Sequence, residues 1–420
     1  MPVTSRTQRD ARFDDQIPLV ILRIGHYPLH HGGVGAIRTM GRAGVPVYAM
    51  TEDRFTPAAV SSYLTGAIVA TVSPTASNDA VLAGFAQVGS QIGRPAVALP
   101  TDDEAAVFLA EHRDALAQWF LIPAVDACLP RQLASKRGLY EICQRLAVPT
   151  PASCFPVTSE DVTHFGHSAM FPVVAKNVDP WVRQVKPAVD STVLVASPAD
   201  LAGMASTWGS APKVALQEYI PREDAEDWIF HGYFDSRSEC LVGFTGVKYR
   251  SWPPGFGVTT YARTQFNADV IRQSTSLVRA LGYHGIVDLD WRYDRRDQRY
   301  KLLDFNPRVG AQFRLFETDT GIDVVRAMHL DLTSRGFAPG LPIEGRTLVV
   351  EHLDIPARFA REANSTWHAS PPATTGPRAR AWMARDDPLP FFAMTARFAG
   401  PALKRLLQMG RARVRRSRAL

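Results

Sequence analysis

The chain has 420 residues, and its 47 lysines and arginines against 41 aspartates and glutamates give a formal net charge of +6. This length predicts about two to four domains, and a hydrophobic content of 46% excludes a protein that is disordered throughout. Seven basic residues and no acidic residue lie in positions 401–420, so the first 400 residues, with 40 basic and 41 acidic side chains, carry a net charge of −1. Nucleic-acid binding, which needs a basic surface, is therefore not expected of the folded part.

The two ends and the cysteines indicate the compartment. Residues 1–16 are polar, lack the apolar stretch of a secretory signal and are expected to be disordered. No run approaches the ~18 apolar residues of a membrane-spanning helix, and the four cysteines show neither disulfide nor metal-ligand spacing. We predict a cytoplasmic protein. Its basic tail, 401–420, could touch the inner face of an anionic membrane; the alternatives are a disordered, solvated tail and, less favoured, nucleic-acid binding.

A first domain is predicted for residues 17–128, where apolar strands alternate with helical segments. The predicted elements are the strand Ile17–Gly25, the helix Val34–Gly44, the strand Val45–Met50, and within Pro95–Asp103 an apolar strand followed by Thr and Asp that open the helix Ala105–Leu116. This alternation is typical of a parallel, Rossmann-like sheet. Ligands of such sheets gather at the carboxyl ends of the strands.

The loop after the first strand contains Gly33-Val34-Gly35, which resembles the start of a dinucleotide-binding fingerprint. Arg38 stands where the third glycine should be, so a nicotinamide dehydrogenase is a disfavoured alternative. The same loop holds three histidines (His26, His30 and His31). We expect them to line a substrate cleft or contact solvent rather than to bind a metal.

A second domain is predicted for residues 129–350, with α+β character and more antiparallel sheet. A helix over Arg131–Ala147 opens it. Strands then follow at Phe171–Val178, Thr192–Ala196, Val214–Ile220, Trp228–Phe234 and Cys240–Tyr249, and a helix at Ala268–Leu281 precedes two more strands. Residues 351–400 are expected to form a C-terminal extension with a Pro-rich linker, ahead of the tail.

The last two strands of this domain carry alternating carboxylates. Asp288 and Asp290 share one face of the first strand, and Asp304 and Asn306 share one face of the second. A hairpin centred near Asp297 would place Asp290 opposite Asp304 and Asp288 opposite Asn306. The apolar side chains expected on the other face are Val287, Leu289, Trp291, Leu303 and Phe305.

Directly opposed carboxylates are unfavourable by themselves. A divalent cation between them reverses this, and a set of oxygen ligands suits Mg²⁺ better than a soft metal. The hairpin therefore predicts a magnesium site. The alternative is a solvated polar face on an amphipathic hairpin.

Five cations occupy unusual positions in the same domain. Lys136 lies on the apolar side of its predicted helix, and Lys176 interrupts an otherwise apolar strand. Arg308 follows Asn306 closely and could place a fork-shaped donor beside the metal. Lys248 and Arg250 precede a Pro/Gly-rich loop that could close over a ligand. For each of them, an ordinary charged side chain at the end of an element is the alternative.

Four segments in this order and spacing, FPVVAKN (171–177), ALQEYIP (215–221), HGIVDLDW (284–291) and LLDFNPRVG (302–310), resemble the ATP-grasp superfamily. The similarity is greatest to its carboxylate–amine ligases of the D-aspartate-ligase-like branch, and it covers about residues 17–350. It implies a Rossmann-like pre-ATP-grasp domain followed by an ATP-grasp fold, two α+β subdomains that clamp the nucleotide. It also implies ATP and Mg²⁺, with Mn²⁺ as an alternative metal.

The resemblance assigns roles to residues of this chain. Lys136 and Lys176 are similar to lysines that contact the nucleotide phosphates, and Arg308 to the arginine that steadies the transferred phosphate, with Lys248 and Arg250 expected to assist it. Asp227, or less favourably Asp224, resembles the acid that holds the ribose. The adenine hinge, which reads the base through backbone groups and a Glu, would be Gln217, Glu218, Tyr219 and Ile220, and the magnesium ligands would be Asp290, Asp304 and Asn306.

Three positions depart from the family pattern. Asp304 stands where a Glu is usual, and Ser135 where an Asp is frequent. The glycine-rich loop expected after Lys176 is missing, because Asn177–Asp190 contains no glycine. The cover over the phosphates would then come from Trp181–Lys186 or from Lys248–Gly257.

The implied reaction makes an acyl phosphate from a carboxylate and ATP, and an amine, with an amino acid as one expected partner, then displaces phosphate to give an amide. Such phosphoryl transfer depends on positioning and electrostatics and needs no nucleophilic side chain. The expected partners are small-molecule substrates, and a homodimer is expected from the resemblance. A nucleotide-binding regulator or membrane-associated scaffold of the same fold remains the alternative.

Overall fold

The computed structural model describes residues 12–69, 72, 76–179, 187–189, 192–255, 257–359 and 376–400. Its N-terminal sheet has five parallel strands in the order β3-β2-β1-β4-β5, which confirms the predicted parallel build. The elements are β1 (Leu19–Leu22), α1 (His31–Arg42), β2 (Val47–Thr51), β3 (Gly66–Val69), α2 (Asn78–Ile92), β4 (Ala96–Pro100), α3 (Asp103–Glu111), α4 (Arg113–Leu116) and β5 (Phe120–Leu121). The strand order reverses between β1 and β4, so the loops after these two strands frame a crevice.

A small middle sheet follows, with four antiparallel strands in the order β6-β9-β7-β8. The elements of this part are α5 (Leu129–Ala134), α6 (Lys136–Arg145), β6 (Ser153–Cys154), α7 (Ser159–Ser168), β7 (Val173–Asn177), β8 (Val193–Val195), α8 (Pro198–Ala205) and β9 (Val214–Glu218). The core of this part is small, and its buried residues are aliphatic. The inward side chains of β7 and β9 pack there against α7 and α8.

The large sheet has seven strands in the order β14-β13-β10-β11-β12-β15-β16. Its elements are β10 (Ala225–Phe234), β11 (Cys240–Trp252), β12 (Val258–Thr264), α9 (Ala268–Ala280), β13 (Gly285–Asp294), β14 (Arg299–Asn306), α10 (Val324–Leu332), β15 (Thr347–Val349), α11 (Glu351–Phe359) and β16 (Arg378–Arg380). The sheet is antiparallel except for the pairing of β15 with β16. A parallel sheet followed by two antiparallel sheets confirms the predicted combination of α/β and α+β folds.

The register of the β13–β14 hairpin is the predicted one at its functional end. Asp290 pairs with Asp304, and Asp288 pairs with Asn306. The apolar face differs by one residue, because the pairing shifts after Asp290 and leaves Leu303 as the extra residue of a β-bulge. Leu302 is therefore fully buried, as is Phe305 on the same strand. The predicted core position of Leu303 is wrong, and its side chain lines the cleft described below.

The predicted helix over Arg131–Ala147 is two helices that meet at Ser135, whose backbone is extended with ψ of 132°. The second helix passes very close to the first, so that a Cβ on Gly138 would collide with the backbone of Gln132. The break matters for function because it places Lys136 at the first position of α6.

Residues near both ends of the described chain pack against the rest of the protein, which the sequence did not predict. Phe13 packs on the core and Asp14 forms a 2.8 Å ion pair with Arg335, so residues 12–16 do not fit the prediction of a disordered segment. The described part of the 351–400 extension contributes α11, β16 and a helix over 389–400. The tail 401–420 lies outside the described residues, and the domain boundaries near 128 and 350 stay predictions.

The C-terminal segment returns to the N-terminal sheet through a buried ion pair. Nε of Arg38, on α1, donates to Oδ2 of Asp387 at 2.8 Å, and the two side chains are 5% and 1% exposed. Asp387 also accepts hydrogen bonds from the hydroxyl of Ser61 at 2.7 Å and the backbone N–H of Ser62 at 2.8 Å. The carboxylate of Asp387 thus joins the C-terminal segment to α1 and to residues 61–62.

Removal of this carboxylate is expected to destabilise the protein strongly. Asp387→Ala leaves the Arg38 guanidinium buried without its partner, which costs about 3–5 kcal/mol. The neighbouring Asp386→Ala is the matched control, because Asp386 bonds to Arg42 and Tyr63 at a site where its side chain is 46% exposed, and a solvent-screened pair is expected to contribute less, about 1 kcal/mol. Chemical denaturation measures both. Equal losses in the two variants would contradict the importance of the buried pair.

Candidate active site

A cleft of about 380 Å³ lies between the middle sheet and the large sheet. It is lined by most of the side chains that the sequence singled out. These are Lys136, Lys176, Gln217, Glu218, Tyr219, Ile220, Asp227, Lys248, Arg250, Asp290 and Asp304. Asn306 and Arg308 continue the row beyond Asp304 toward the N-terminal sheet, where Nε of Arg308 donates to Oδ1 of Asp103 at 2.9 Å. Residues separated by up to 172 positions are therefore gathered in one place.

Two carboxylates face each other at the bottom of the cleft, and each one is paired with a lysine. Nζ of Lys248 lies 2.5 Å from Oδ1 of Asp290, and Nζ of Lys136 lies 2.6 Å from Oδ1 of Asp304. Burial raises the pKa of Asp290, and the charge of Asp288 adds to this against the opposing effect of Lys248. Burial would also raise the pKa of Asp304, but Lys136 outweighs it and holds this pKa below its usual value.

This donor set fits a hard divalent cation. Among the described residues, no three His, Cys, Asp or Glu side chains are grouped as a metal site. Magnesium is commonly held by one or two carboxylates together with water and substrate phosphates, so two aspartates and the amide oxygen of Asn306 are a sufficient protein contribution. Burial, and after it the negative charge of Asp288, raises the pKa of Asp290, and a bound cation would favour the charged form. The assignment of Asp290, Asp304 and Asn306 remains a prediction.

Lys176 projects from β7 into the cleft with one hydrogen-bond partner from the neighbouring strand. Its Nζ donates to Oε1 of Gln217 at 2.9 Å, and Gln217 in turn donates to the hydroxyl of Ser153 at 3.1 Å. Burial, followed by the positive charge of Lys136, lowers the pKa of Lys176 to about 8. A polyanion in the cleft would stabilise the charged form of both lysines.

The predicted hinge, Gln217–Ile220, continues from β9 at the edge of the cleft. The carboxylate of Glu218 is engaged by Arg296 at 2.5 Å and by Lys301 at 3.5 Å. These ion pairs hold the side chain of Glu218, so the backbone groups of the hinge are the donors and acceptors best placed to contact a planar base.

The predicted ribose acid also has a partner that the sequence did not indicate. Arg292 binds Asp227 through two hydrogen bonds of 2.7 and 3.1 Å. Burial would raise the pKa of Asp227, but the guanidinium outweighs it, so this pKa is lowered. Asp227 lines the cleft, whereas the alternative, Asp224, lies in a short turn over Arg222–Asp224 and is not among the lining residues. A fixed, ionised carboxylate at this position suits the acceptance of hydroxyl hydrogen bonds.

Arg250 is held against one wall of the cleft. It forms two hydrogen bonds to the buried carboxylate of Asp354, at 2.7 and 3.1 Å, and its guanidinium lies 4.4 Å from the ring centre of Tyr261. Downstream, Gly255 and Gly257 also line the cleft, which agrees with the idea that Lys248–Gly257 covers the phosphates. The other candidate cover, Trp181–Lys186, lies outside the described residues.

The glycines after β1 have a packing role. A Cβ on Gly32 would lie 2.8 Å from Cα of Ala311, and one on Gly35 would lie 2.6 Å from Cγ of Arg314. These two glycines therefore allow the segment after β14 to pack closely against α1. Of the loop histidines, His30 caps α1 by accepting a hydrogen bond from the backbone N–H of Gly33 at 3.0 Å.

Sequence reasoning missed the partners that hold the site together. His231, Asp103, Arg292 and Gln312 lie far apart in the sequence, and no local pattern marks them. Asp288 carried a signal, since it alternates with Asp290 on one face, but it was not assigned a role. Its Oδ1 lies 2.6 Å from Nε2 of His231.

The comparisons with known proteins agree with this geometry. A family model described as the carbamoyl-phosphate synthase L chain, ATP-binding domain, matches residues 260–331. A D-aspartate ligase from Enterococcus faecium is 24% identical over 241 residues, or 54% of this chain and 56% of that protein. The match thus spans little more than half the length of this curated relative.

Two solved structures share the fold. The L-amino acid ligase from Bacillus licheniformis has a TM-score of 0.56 at 16% identity, with 79% of this chain and 76% of that chain covered. The N5-carboxyaminoimidazole synthetase from Staphylococcus aureus, solved with ADP, has a TM-score of 0.57 at 11% identity, with coverages of 80% and 82%. The sheets and the cleft thus define an ATP-grasp fold. The chain is similar in sequence to a D-aspartate ligase and in fold to these two enzymes.

Within the described residues, no helix is long and apolar enough to cross a bilayer.

Proposed function

We propose that this chain is an ATP-dependent ligase that joins a carboxylate to an amine and releases ADP and phosphate. One observation carries the proposal: opposed carboxylates and two lysines lie at the bottom of a single cleft whose edge is a strand-end hinge. This arrangement suits a nucleotide whose base lies at the hinge and whose phosphates reach Asp290 and Asp304. The sequence similarity to a D-aspartate ligase supports the same reaction class.

The residues of this chain would act by charge and position. Lys136 and Lys176 would bind the phosphates, and Arg308 would hold the transferring group at the end of the cleft nearest the N-terminal sheet. Magnesium, when bound by Asp290, Asp304 and Asn306, would neutralise negative charge on the phosphoryl group. The crevice between the loops after β1 and β4 faces Arg308 through Asp103, so a carboxylate entering there would meet the terminal phosphate. The amine would then attack the acyl carbon, and phosphate would leave.

The test is a phosphate-release screen with Mg²⁺-ATP and amino acids, supplied singly and in pairs. D-aspartate and L-amino acids are tested first, because the similar proteins are a D-aspartate ligase and an L-amino acid ligase. Release that requires two substrates, with an amide product detected by mass spectrometry, is the expected result. If ATP binds but no carboxylate and amine pair releases phosphate across a broad panel, the regulator or scaffold alternative gains the support and the ligase proposal fails.

Three further properties belong to the same proposal. The protein would act in the cytoplasm, as a homodimer, and its basic tail would touch an anionic membrane. Sedimentation with anionic liposomes at low salt, before and after truncation at residue 400, tests the tail. Unchanged sedimentation after truncation would contradict the membrane contact. Light scattering of the full chain measures the oligomeric state.

A further inference from the structure

A buried polar pair lies directly behind the predicted metal ligands. Asp288, on β13, is paired in register with His231 on β10 and with Asn306 on β14, so it lies at the centre of three adjacent strands. Nε2 of His231 is 2.6 Å from Oδ1 of Asp288, and the two side chains are 0% and 4% exposed. Nδ1 of His231 has no hydrogen-bond partner within the described part of the chain. Within the described residues, the hydrogen bond of this imidazole is therefore the one with Asp288.

Asp288 in turn determines how Asn306 is oriented. Nδ2 of Asn306 donates to the backbone oxygen of Asp288 at 3.2 Å and to its Oδ2 at 3.3 Å. Because the amide nitrogen is held by Asp288, the amide oxygen is the end that remains for other partners, and it accepts a hydrogen bond from Nη2 of Arg308 at 3.2 Å. An amide side chain that binds a hard cation such as Mg²⁺ must present its oxygen. The Asp288 carboxylate therefore selects the rotamer in which Asn306 can serve as a metal ligand.

The same carboxylate reaches the loop that carries Arg308. Nη1 of Arg308 lies 3.9 Å from Oδ2 of Asp288, and Nε2 of Gln312 donates to Oδ1 at 3.3 Å. Between them lies Gly310, where a Cβ would collide with both Asp288 and His231. On its other side the loop touches Gly32 of α1. The loop is thus confined between the buried pair and the N-terminal sheet, with no space for a side chain at either glycine.

We propose that Asp288 and His231 are positioning residues for phosphoryl transfer: Asp288 orients Asn306 and Arg308, and His231 holds Asp288 in place. The inference rests on the proposed function, since Asn306 and Arg308 are assigned there to the metal and the transferring phosphate. Neither Asp288 nor His231 touches the substrate. Their loss is expected to reduce stabilisation of the transferring group while nucleotide binding at the hinge and lysines persists.

The experiment compares the affinity of the full chain for Mg²⁺-ADP with that for Mg²⁺-ADP plus aluminium fluoride, which mimics a phosphoryl group in transfer. Transition-state mimics bind at least about 10²-fold more tightly than ground-state ligands. Asp288→Asn and His231→Leu are expected to reduce this preference by about tenfold or more, with the affinity for ADP changed less than about twofold, in line with positioning losses of about 10–100-fold. His231→Gln, whose amide nitrogen can donate to Asp288, is expected to restore most of the preference.

The matched control is His329→Leu, which removes another buried histidine whose Nε2 has one hydrogen-bond partner, the backbone oxygen of Ile17 at 2.8 Å. This variant is expected to lower the melting temperature and to leave the preference unchanged. If Asp288→Asn and His231→Leu behave like the control, or if ADP affinity falls equally, the positioning role is overturned. A wild-type protein without any preference also overturns it. The wild type could prefer Mg²⁺-ADP with aluminium fluoride, and the variants could lose this preference, while no substrate pair releases phosphate. This combination would contradict the ligase proposal and support the positioning role.

Discussion

Asp304→Asn is expected to reduce ATP-dependent phosphate release by about 10²–10³-fold, the range typical of losing one preorganised electrostatic group. The substitution keeps the shape of the side chain and removes its charge. Asp304 faces Asp290 across the hairpin, and Lys136 lies 2.6 Å from it, so the variant loses a metal ligand and releases Lys136 from its partner. ATP affinity should change much less, because the hinge and Lys176 are unaffected. Initial rates of phosphate release and ATP titrations measure the two effects.

The control for Asp304→Asn is Asp297→Asn in the same hairpin. Asp297 lies at the turn, 3.0 Å from Lys301, and its side chain is 40% exposed. Exposed pairs of this kind contribute little to stability, and Asp297 is not one of the residues that line the cleft. Activity should therefore stay within about twofold of the wild type. Full activity in Asp304→Asn would disprove the metal assignment even if the chain proves to be a ligase.

Lys176→Met is expected to raise the dissociation constant for ATP by about 10–100-fold. Methionine keeps the length of the stem and removes the ammonium, and a hydrogen bond to a charged group contributes about 1.5–3 kcal/mol. The half-buried position of Lys176 on β7 leaves its Nζ with Gln217 as neighbour and the cleft in front of it. Lys213→Met is the control, since Lys213 is an exposed lysine just before β9 of the same sheet. Equal affinities in the two variants would contradict a phosphate-binding role.

The lowered pKa of Lys176 adds a pH dependence to ATP binding. With a pKa of about 8, Lys176 is charged below pH 8 in the free protein, and bound phosphates would raise its pKa. Affinity should therefore be constant below pH 8 and weaken above it, by at most tenfold per pH unit. Lys176→Arg keeps its charge throughout this range and should abolish the dependence between pH 7.5 and 9.5. A flat wild-type profile would show that Lys176 does not titrate with binding.

Much of the site could be read from local patterns. The alternation of charged and apolar residues in 287–306 has period two, and a one-residue slip would have put every aspartate into the core. The alternation sets the faces, and a turn centred near Asp297 sets the pairs Asp290–Asp304 and Asp288–Asn306, which are found in the structure. The bulge at Leu303 has no such signature, because the apolar pair Leu302–Leu303 fits either register.

Other features depend on contacts between distant parts of the chain. The helix break at Ser135, which delivers Lys136 to the cleft, reflects the close approach of α6 to α5. Arg292 and Arg296 look like surface charges in the sequence, yet they bind Asp227 and Glu218. The glycines of α1 resemble a nucleotide fingerprint and instead receive the loop after β14. The helix break depends on the adjacent helix, whereas the partners of Arg292, Arg296 and the α1 glycines lie tens or hundreds of residues away.

The sequence by itself determined the class of sheets and the register of the hairpin, because these depend on side-chain periodicity within single elements and on the position of the turn. The other charged side chains of the cleft, such as Lys136 and Asp227, were predicted through the resemblance to the ATP-grasp superfamily. Only the tertiary structure decided which partner each charge receives: Asp304 with Lys136, Asp290 with Lys248, and Asp288 with His231. It also decided that the C-terminal segment returns to α1 through Asp387. The physical reason is that a buried charge requires a partner. The packing of whole sheets against one another decides which segment of the chain supplies that partner.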